Sequence, residues 1–144
     1  SSSDDAYSYG GAIYVNDGST ITLKNNNSVT FNRNSASYGG GIYASASGTI
    51  NLNNNGSVTF SGSSAGLRGG AIYTEGNLSI RNNDSVLFEK NGVITDGAYH
   101  LHSVYAGNYN SGREISLSAA AGKNIEFRDS IYIGSYATVG LNAD

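Results

Sequence analysis

The chain has 144 residues, enough for one domain with a modest core, and its formal net charge is only −3. That charge leaves no electrostatic footprint for nucleic acid and no basic patch for anionic lipid. The sequence contains no cysteine, which excludes disulfides and cysteine-ligated metal sites, and no apolar run approaches the ~18 residues of a membrane helix.

Three short strand-like segments recur in the same order along the chain. The first segment carries glycines, an aliphatic residue and a tyrosine, the second alternates polar and aliphatic residues, and the third ends in phenylalanine. In chain order they are GGAIYV (10–15), TITL (20–23), SVTF (28–31), GGGIYA (39–44), TINL (49–52), SVTF (57–60), GGAIYT (69–74), NLSI (77–80), SVLF (85–88), DGAYHL (96–101), EISL (114–117) and NIEF (124–127). A period of about 20–50 residues is typical of solenoids and propellers.

The alternation within each segment places about five apolar side chains of every repeat on one face. No single repeat can bury that face, so we expect each repeat to be one coil stacked on the next. The phenylalanines should then form one inward column: Phe31, Phe60, Phe88 and Phe127. We predict an all-β fold, a right-handed parallel β-helix of about four to five coils with three short strands per coil. A stack of hairpins is the alternative, because Asp17-Gly18 has the composition of a two-residue turn.

The repeats divide the chain into 1–37, 38–67, 68–95 and 96–130, and 131–144 would start a further coil or a cap. We expect residues 1–144 to be a single piece of a longer solenoid, because the first repeat begins part-way through. The fourth repeat is longer than the others, and the excess is assigned to Ser103–Arg113. Insertions in solenoids bulge from one side and often bind, so Tyr105, Tyr109 and Arg113 are candidate binding residues.

Two tetrapeptides alternate in step along the chain. The first is GGAI, or GGGI, formed by Gly10, Gly11, Ala12, Ile13, Gly39, Gly40, Gly41, Ile42, Gly69, Gly70, Ala71 and Ile72. The second is Phe-x-x-Asn, formed by Phe31 with Asn34 and by Phe88 with Asn91, whereas Ser63 and Ser130 replace the asparagine in the other two copies. Over roughly residues 6–130 these motifs resemble the repeats of the chlamydial polymorphic outer-membrane proteins.

The resemblance implies the passenger domain of a bacterial autotransporter, displayed at the outer membrane or released, that acts as an adhesin and virulence factor without a cofactor. Its partner would be a host-cell surface protein or glycan, and open coil ends could allow self-association. In that family the two tetrapeptides are implicated in attachment. The alternative is a piece of a carbohydrate-active β-helix, a polysaccharide lyase or hydrolase.

The candidate residues distinguish the adhesin from the carbohydrate-active protein only in part. Tyr14, Tyr43 and Tyr73 should alternate outward as an exposed ladder that binds a ligand or stabilises neighbouring strands. The inward motif residues should be structural. His100 and His102 would share a strand face, but no third ligand accompanies them, so no metal site is predicted. Glu89 over Arg128 and Lys90 over Asp129 read as ion pairs, and we expect no catalytic residues because no pair of carboxylates flanks a cleft.

Overall fold

The computed structural model describes residues 6–107 and 113–134, together with the backbone of a strand at Ala137–Leu141. In these ranges the chain is all β and contains no helix. The strands are β1 (Ile13–Val15), β2 (Thr20–Lys24), β3 (Ser28–Asn32), β4 (Ser35–Tyr38), β5 (Ile42–Ala44), β6 (Thr49–Asn53), β7 (Ser57–Ser61), β8 (Ser64–Arg68), β9 (Ile72–Thr74), β10 (Asn77–Glu89), β11 (Gly92–Thr95), β12 (Ala98–Ala106), β13 (Arg113–Phe127), β14 (Ser130–Ile133) and β15 (Ala137–Leu141).

Parallel pairing stacks these strands into a β-solenoid of about four turns. One face carries β1, β5, β9, the end of β12 and β14, and a second carries β2, β6, the start of β10, the start of β13 and β15. A third carries β3, β7 and the ends of β10 and β13. The three predicted segments of each coil are present, and a fourth short face is added by β4, β8 and β11.

Stacking in register confirms the solenoid and rejects the hairpin alternative for the repeats. Ile42 pairs with Ile13 on one side and with Ile72 on the other, so like residues lie above one another. The strands that flank Asp17-Gly18, β1 and β2, pair with the next coil and not with each other.

The predicted inward residues form one core that runs along the solenoid. Phe31, Phe60, Phe88 and Phe127 stack as a column with centroid separations of 4.6, 4.8 and 4.7 Å. Phe60 and Phe88 are fully buried, as are the aliphatic residues Ile42, Ile50 and Ile72 of the middle coils. Each such side chain contributes about 1.5–3 kcal/mol through burial, which explains why identical residue types recur at identical positions.

Two corners of the coil share one construction, a left-handed residue followed by an inward polar side chain. The left-handed residues are Asn25, Asn54 and Asn82 at the first corner and Arg33, Gly62 and Lys90 at the second. At the first corner, Asn83 accepts the N–H of Asn55 through Oδ1 at 2.8 Å and donates through Nδ2 to the carbonyl of Leu52 at 2.8 Å. The asparagine thus replaces the ladder bonds that the bend removes, and it ties one coil to the previous one.

The third corner is the glycine pair. Gly39 has φ +62°, which favours glycine, and a Cβ on Gly40 would lie 2.2 Å from the carbonyl oxygen of Gly70. The second glycine therefore has a different role from the first: it lets the backbones of adjacent coils approach closely at the bend.

The fourth coil departs from the prediction. The segment DGAYHL does not replace GGAIYV; it forms an antiparallel hairpin, in which Ala98–Leu101 of β12 pair with Gly92–Thr95. Asp96 and Gly97 both have positive φ (50° and 77°), as a type I′ turn requires. The true counterpart of the tyrosine segment is Val104–Ala106, which pairs with Ile72–Thr74. The prediction was wrong because DGAYHL shares a glycine and a tyrosine with the repeat, but its Asp96-Gly97 pair forms a local hairpin turn.

The next pass of the chain is shortened. After Phe127 it proceeds directly to β14, so the fourth face and the glycine corner are omitted. Asp129 lies at the resulting bend and is buried, with 6% of its surface exposed. Its carboxylate accepts the backbone N–H groups of Lys90 and Asn91, each at 2.9 Å, and the hydroxyl of Ser103 at 2.6 Å.

Candidate binding face

Five tyrosines form one column along the face of β1, β5, β9, β12 and β14. They are Tyr14, Tyr43, Tyr73, Tyr105 and Tyr132. Successive ring centroids are 5.3, 5.2, 5.3 and 4.6 Å apart, and the planes are within 13° of parallel. We call this set the tyrosine column. It exists because the outward position after each inward aliphatic residue is a tyrosine in every coil.

A second row lies beside the tyrosine column, at the residue just before each glycine pair. It consists of Tyr9, Tyr38 and Arg68. Tyr9 stacks on Tyr38 at 5.5 Å, and each contacts the tyrosine column edge to face, Tyr9 on Tyr43 at 4.8 Å and Tyr38 on Tyr73 at 5.3 Å. This row was not predicted, although its signal is visible in the sequence as YGGAIY, YGGGIY and RGGAIY.

The second row explains why the column is less exposed than predicted. Tyr14 is 53% exposed, but Tyr43 is 9% and Tyr73 only 3% exposed, so the prediction of an exposed ladder was wrong for these two residues. They point away from the apolar core and are covered by tyrosines of the second row. Burial raises the pKa of Tyr43 to about 12, and the nearby Glu75 carboxylate adds to the shift.

The two rows enclose a shallow groove of about 270 Å³, which we call the tyrosine groove. It is lined by Tyr9, Tyr38, Tyr43, Arg68, Tyr73 and Glu75. Two charges border it. The Glu75 carboxylate accepts the Tyr73 hydroxyl at 2.7 Å, whereas Arg68 donates to the Tyr105 hydroxyl at 3.0 Å and lies 4.8 Å above that ring. The groove therefore offers ring edges, hydroxyls, a cation and an anion.

The predicted insertion loop begins and ends in strands. Tyr105 belongs to β12 and the tyrosine column, and Arg113 begins β13 with a buried Nε that has no partner among the described residues. Tyr109 lies outside the described residues. The structure thus unites Tyr105 with the predicted ladder of Tyr14, Tyr43 and Tyr73, which the sequence had treated as a separate candidate site.

The two tetrapeptide motifs hold the coil together. The aliphatic and phenylalanine positions, such as Ile42, Ile72 and Phe88, are fully buried, as predicted for a structural role. Asn91 of the second motif is also fully buried: its Oδ1 accepts the N–H of Ser63 at 3.1 Å, and its Nδ2 donates to the carbonyl of Phe60 at 2.9 Å. Phe-x-x-Asn therefore works as a clip between coils.

The substitution of serine in one copy weakens the clip without removing it. Ser63 still accepts the N–H of Asn34 through its hydroxyl, at 3.2 Å. In the shortened last pass the corresponding acceptor is Asp129, one residue before the Ser130 that the sequence had placed there. The Asn91 clip thus has a carboxylate partner that the motif alone did not predict.

The other candidates are separated in space. His100 is exposed, while His102 is half-buried, burial lowers its pKa, and its ring lies 6.2 Å from that of Tyr105. Among the described residues no three potential ligands gather around a metal position. The predicted ion pair of Glu89 with Arg128 is present at 2.9 Å. Lys90 contacts Asp129 through its backbone N–H, and the predicted salt bridge is not found.

No family model, curated protein or solved structure matches the chain. The described residues contain no helix long and apolar enough to cross a membrane.

Proposed function

We propose that the chain is a binding module, part of the surface-displayed passenger of a bacterial autotransporter, and that it adheres to host-cell glycans through the tyrosine groove. The observation that carries this proposal is the double row of tyrosines, flanked by Arg68 and Glu75, on one face of a solenoid. Of the two partners expected from the resemblance, a glycan fits this groove better than a protein does.

The chemistry of the groove favours a glycan. Sugars present many hydroxyls, which pair with phenol hydroxyls, guanidinium and carboxylate groups, while their C–H faces pack on aromatic surface. The shallow shape suits an extended chain better than the insertion of a large apolar anchor, on which tight protein interfaces depend. Because the rings already support one another, little side-chain entropy is lost on binding.

The arrangement also connects the family motifs with adhesion. The bend at Gly39 and Gly40 lies between Tyr38 of the second row and Tyr43 of the tyrosine column. A substitution at this bend would move the two rows relative to each other, so the motif would affect attachment without contacting the ligand. This accords with a passenger domain at the bacterial surface or released from it.

Binding without turnover is part of the proposal. Hydrolysis or elimination on a polysaccharide needs two suitably spaced acid–base groups. Among the described residues the groove is lined by one carboxylate, that of Glu75, which is engaged by the Tyr73 hydroxyl. We therefore favour an adhesin over the carbohydrate-active alternative, and assign no cofactor.

Binding to an array of host-type glycans tests the proposal, with attachment of protein-coated beads to epithelial cells as the second measurement. Arg68→Glu should abolish the signal because it reverses the charge at one border of the groove. Arg33→Glu is the matched control, since Arg33 is also exposed but lies at a corner away from the groove. Equal binding by the two variants, with unchanged melting curves, would refute the site.

A further inference from the structure

Tyr43 and Tyr73 stack in the tyrosine column as regularly as Tyr73 and Tyr105 do, with ring planes that deviate by 1° in both pairs. The strands of Tyr43 and Tyr73 pair in register, and the two ring centroids are 5.2 Å apart. Parallel rings in register bring the same ring carbons opposite each other. The ortho carbons of two phenols, where a phenoxyl radical carries much of its spin, therefore face each other across adjacent coils.

Tyr73 is also equipped to lose a proton together with an electron. Its hydroxyl donates to Glu75 Oε1 at 2.7 Å, so a proton acceptor is already in place when the ring is oxidised. Tyr73 itself is 3% exposed, but Tyr14 and Tyr132 of the same column are 53% and 47% exposed. An oxidant can remove an electron from an exposed ring. Electron transfer between neighbouring stacked rings can then move this electron hole to the buried tyrosines.

The charges beside the column favour one end of that path. The Arg68 guanidinium lies 4.8 Å from the Tyr105 ring centroid and opposes the positive charge that oxidation places there. Glu75 is negative and lies next to Tyr73. These two charges therefore disfavour the electron hole on Tyr105 and favour it on the pair of Tyr43 and Tyr73.

We propose that Tyr43 and Tyr73 are a modification site at which a one-electron oxidant, such as a peroxidase using hydrogen peroxide, joins the two rings as dityrosine. Each phenol gives up one electron and one proton, the two ortho carbons form a carbon–carbon bond, and the hydrogens on those carbons move to the oxygens as the rings regain aromaticity. Hydrogen peroxide takes the two electrons and two protons and becomes two waters. The product ties the second coil covalently to the third, and it does not depend on the proposed binding function.

Trypsin gives a direct readout. Cleavage after Arg33, Arg68 and Arg81 places Tyr43 in peptide 34–68 and Tyr73 in peptide 69–81. After treatment of dilute protein with peroxidase and hydrogen peroxide, the monomer fraction should show dityrosine fluorescence. Its digest should contain these two peptides joined, lighter than their sum by two hydrogens. The treated protein should also melt at a higher temperature.

Tyrosine-to-phenylalanine variants keep the stack and locate the bond. Tyr43→Phe and Tyr73→Phe should each abolish the joined peptide. Tyr38→Phe is the matched control: its ring is also 5.3 Å from Tyr73 but inclined by 66°, so the link should persist without it. Glu75→Gln should slow the reaction several-fold because an amide is a poor proton acceptor.

Three results would overturn the proposal. They are a folded monomer that forms no dityrosine, a joined peptide that survives Tyr43→Phe, and a joined peptide that disappears in Tyr38→Phe. Melting curves of the variants before oxidation show that the stack is intact.

Discussion

The regular coils and the irregular fourth coil satisfy the same backbone requirements by different means. From Tyr9 to Glu89 two corners of the coil are closed by a left-handed residue and an inward polar side chain, the third is closed by a glycine pair, and like residues stack on like. From Gly92 onward a hairpin replaces part of the wall, and Asp129 replaces the amide clip. Inter-coil hydrogen bonds therefore maintain the repeat in addition to its apolar core.

The largest expected effect lies in the core of the regular coils. Phe60→Ala should destabilise the protein by about 3–5 kcal/mol, because it leaves a cavity between two stacked rings in a fully buried column. Phe127→Ala should cost less, since that ring is half-buried and stacks on Phe88. Urea unfolding of both variants measures the difference, and equal losses would contradict the account of a column that is most deeply buried in its middle.

The next effect concerns the clip. Asn91→Ala should cost about 2–4 kcal/mol, because it removes the side-chain acceptor of the buried Ser63 N–H and the side-chain donor to the Phe60 carbonyl. Asn34→Ala, at the same motif position in a less buried coil, should cost clearly less. Thermal melts of the two variants measure this difference in stability. An Asn91→Ala variant as stable as the unaltered protein would contradict the role of Phe-x-x-Asn as a clip between coils.

The substitute clip of the fourth coil comes third. Asp129→Asn should cost about 1–3 kcal/mol, because a neutral amide can turn only one oxygen towards donors that now meet two. Asp84→Asn is the control on an exposed carboxylate and should be close to neutral. If Asp129→Asn behaves like the control in chemical denaturation, the shortened bend is held by something other than its charge.

The smallest effect is a pH dependence. Burial lowers the pKa of His102, so below its ordinary value of 6.5 the unfolded chain binds more protons than the folded one. Stability should therefore fall as the pH drops from about 6.5 towards the folded pKa, and His102→Gln should flatten that slope. The control is His100→Gln, on an exposed residue of the same strand. Melting temperatures between pH 7 and pH 5 test this, and identical slopes in the two variants would contradict it.

Much of the candidate binding face could be predicted from the sequence, and the part that could not has a physical cause. The alternation after Ile13, Ile42 and Ile72 placed three members of the tyrosine column on one outer face. It could not show that Tyr43 and Tyr73 are covered, because the residues that cover them come from a different segment of the coil. Tyr105 was assigned to a loop, since register across an insertion is decided by pairing between strands and not by spacing.

The sequence by itself determined the solenoid, its period and its inward columns, because a repeated apolar pattern that cannot be buried within one coil must be buried between coils. Tertiary structure alone decided which copy of the tyrosine segment continues the column. Val104–Ala106 pair with β9, whereas Asp96 and Gly97 make a local turn. It also decided the placement of Asp129. This carboxylate accepts the backbone N–H groups of Lys90 and Asn91, which belong to a bend about 40 residues earlier in the chain. Local patterns specify which side chains face inward, but only the closed coil specifies which polar groups meet.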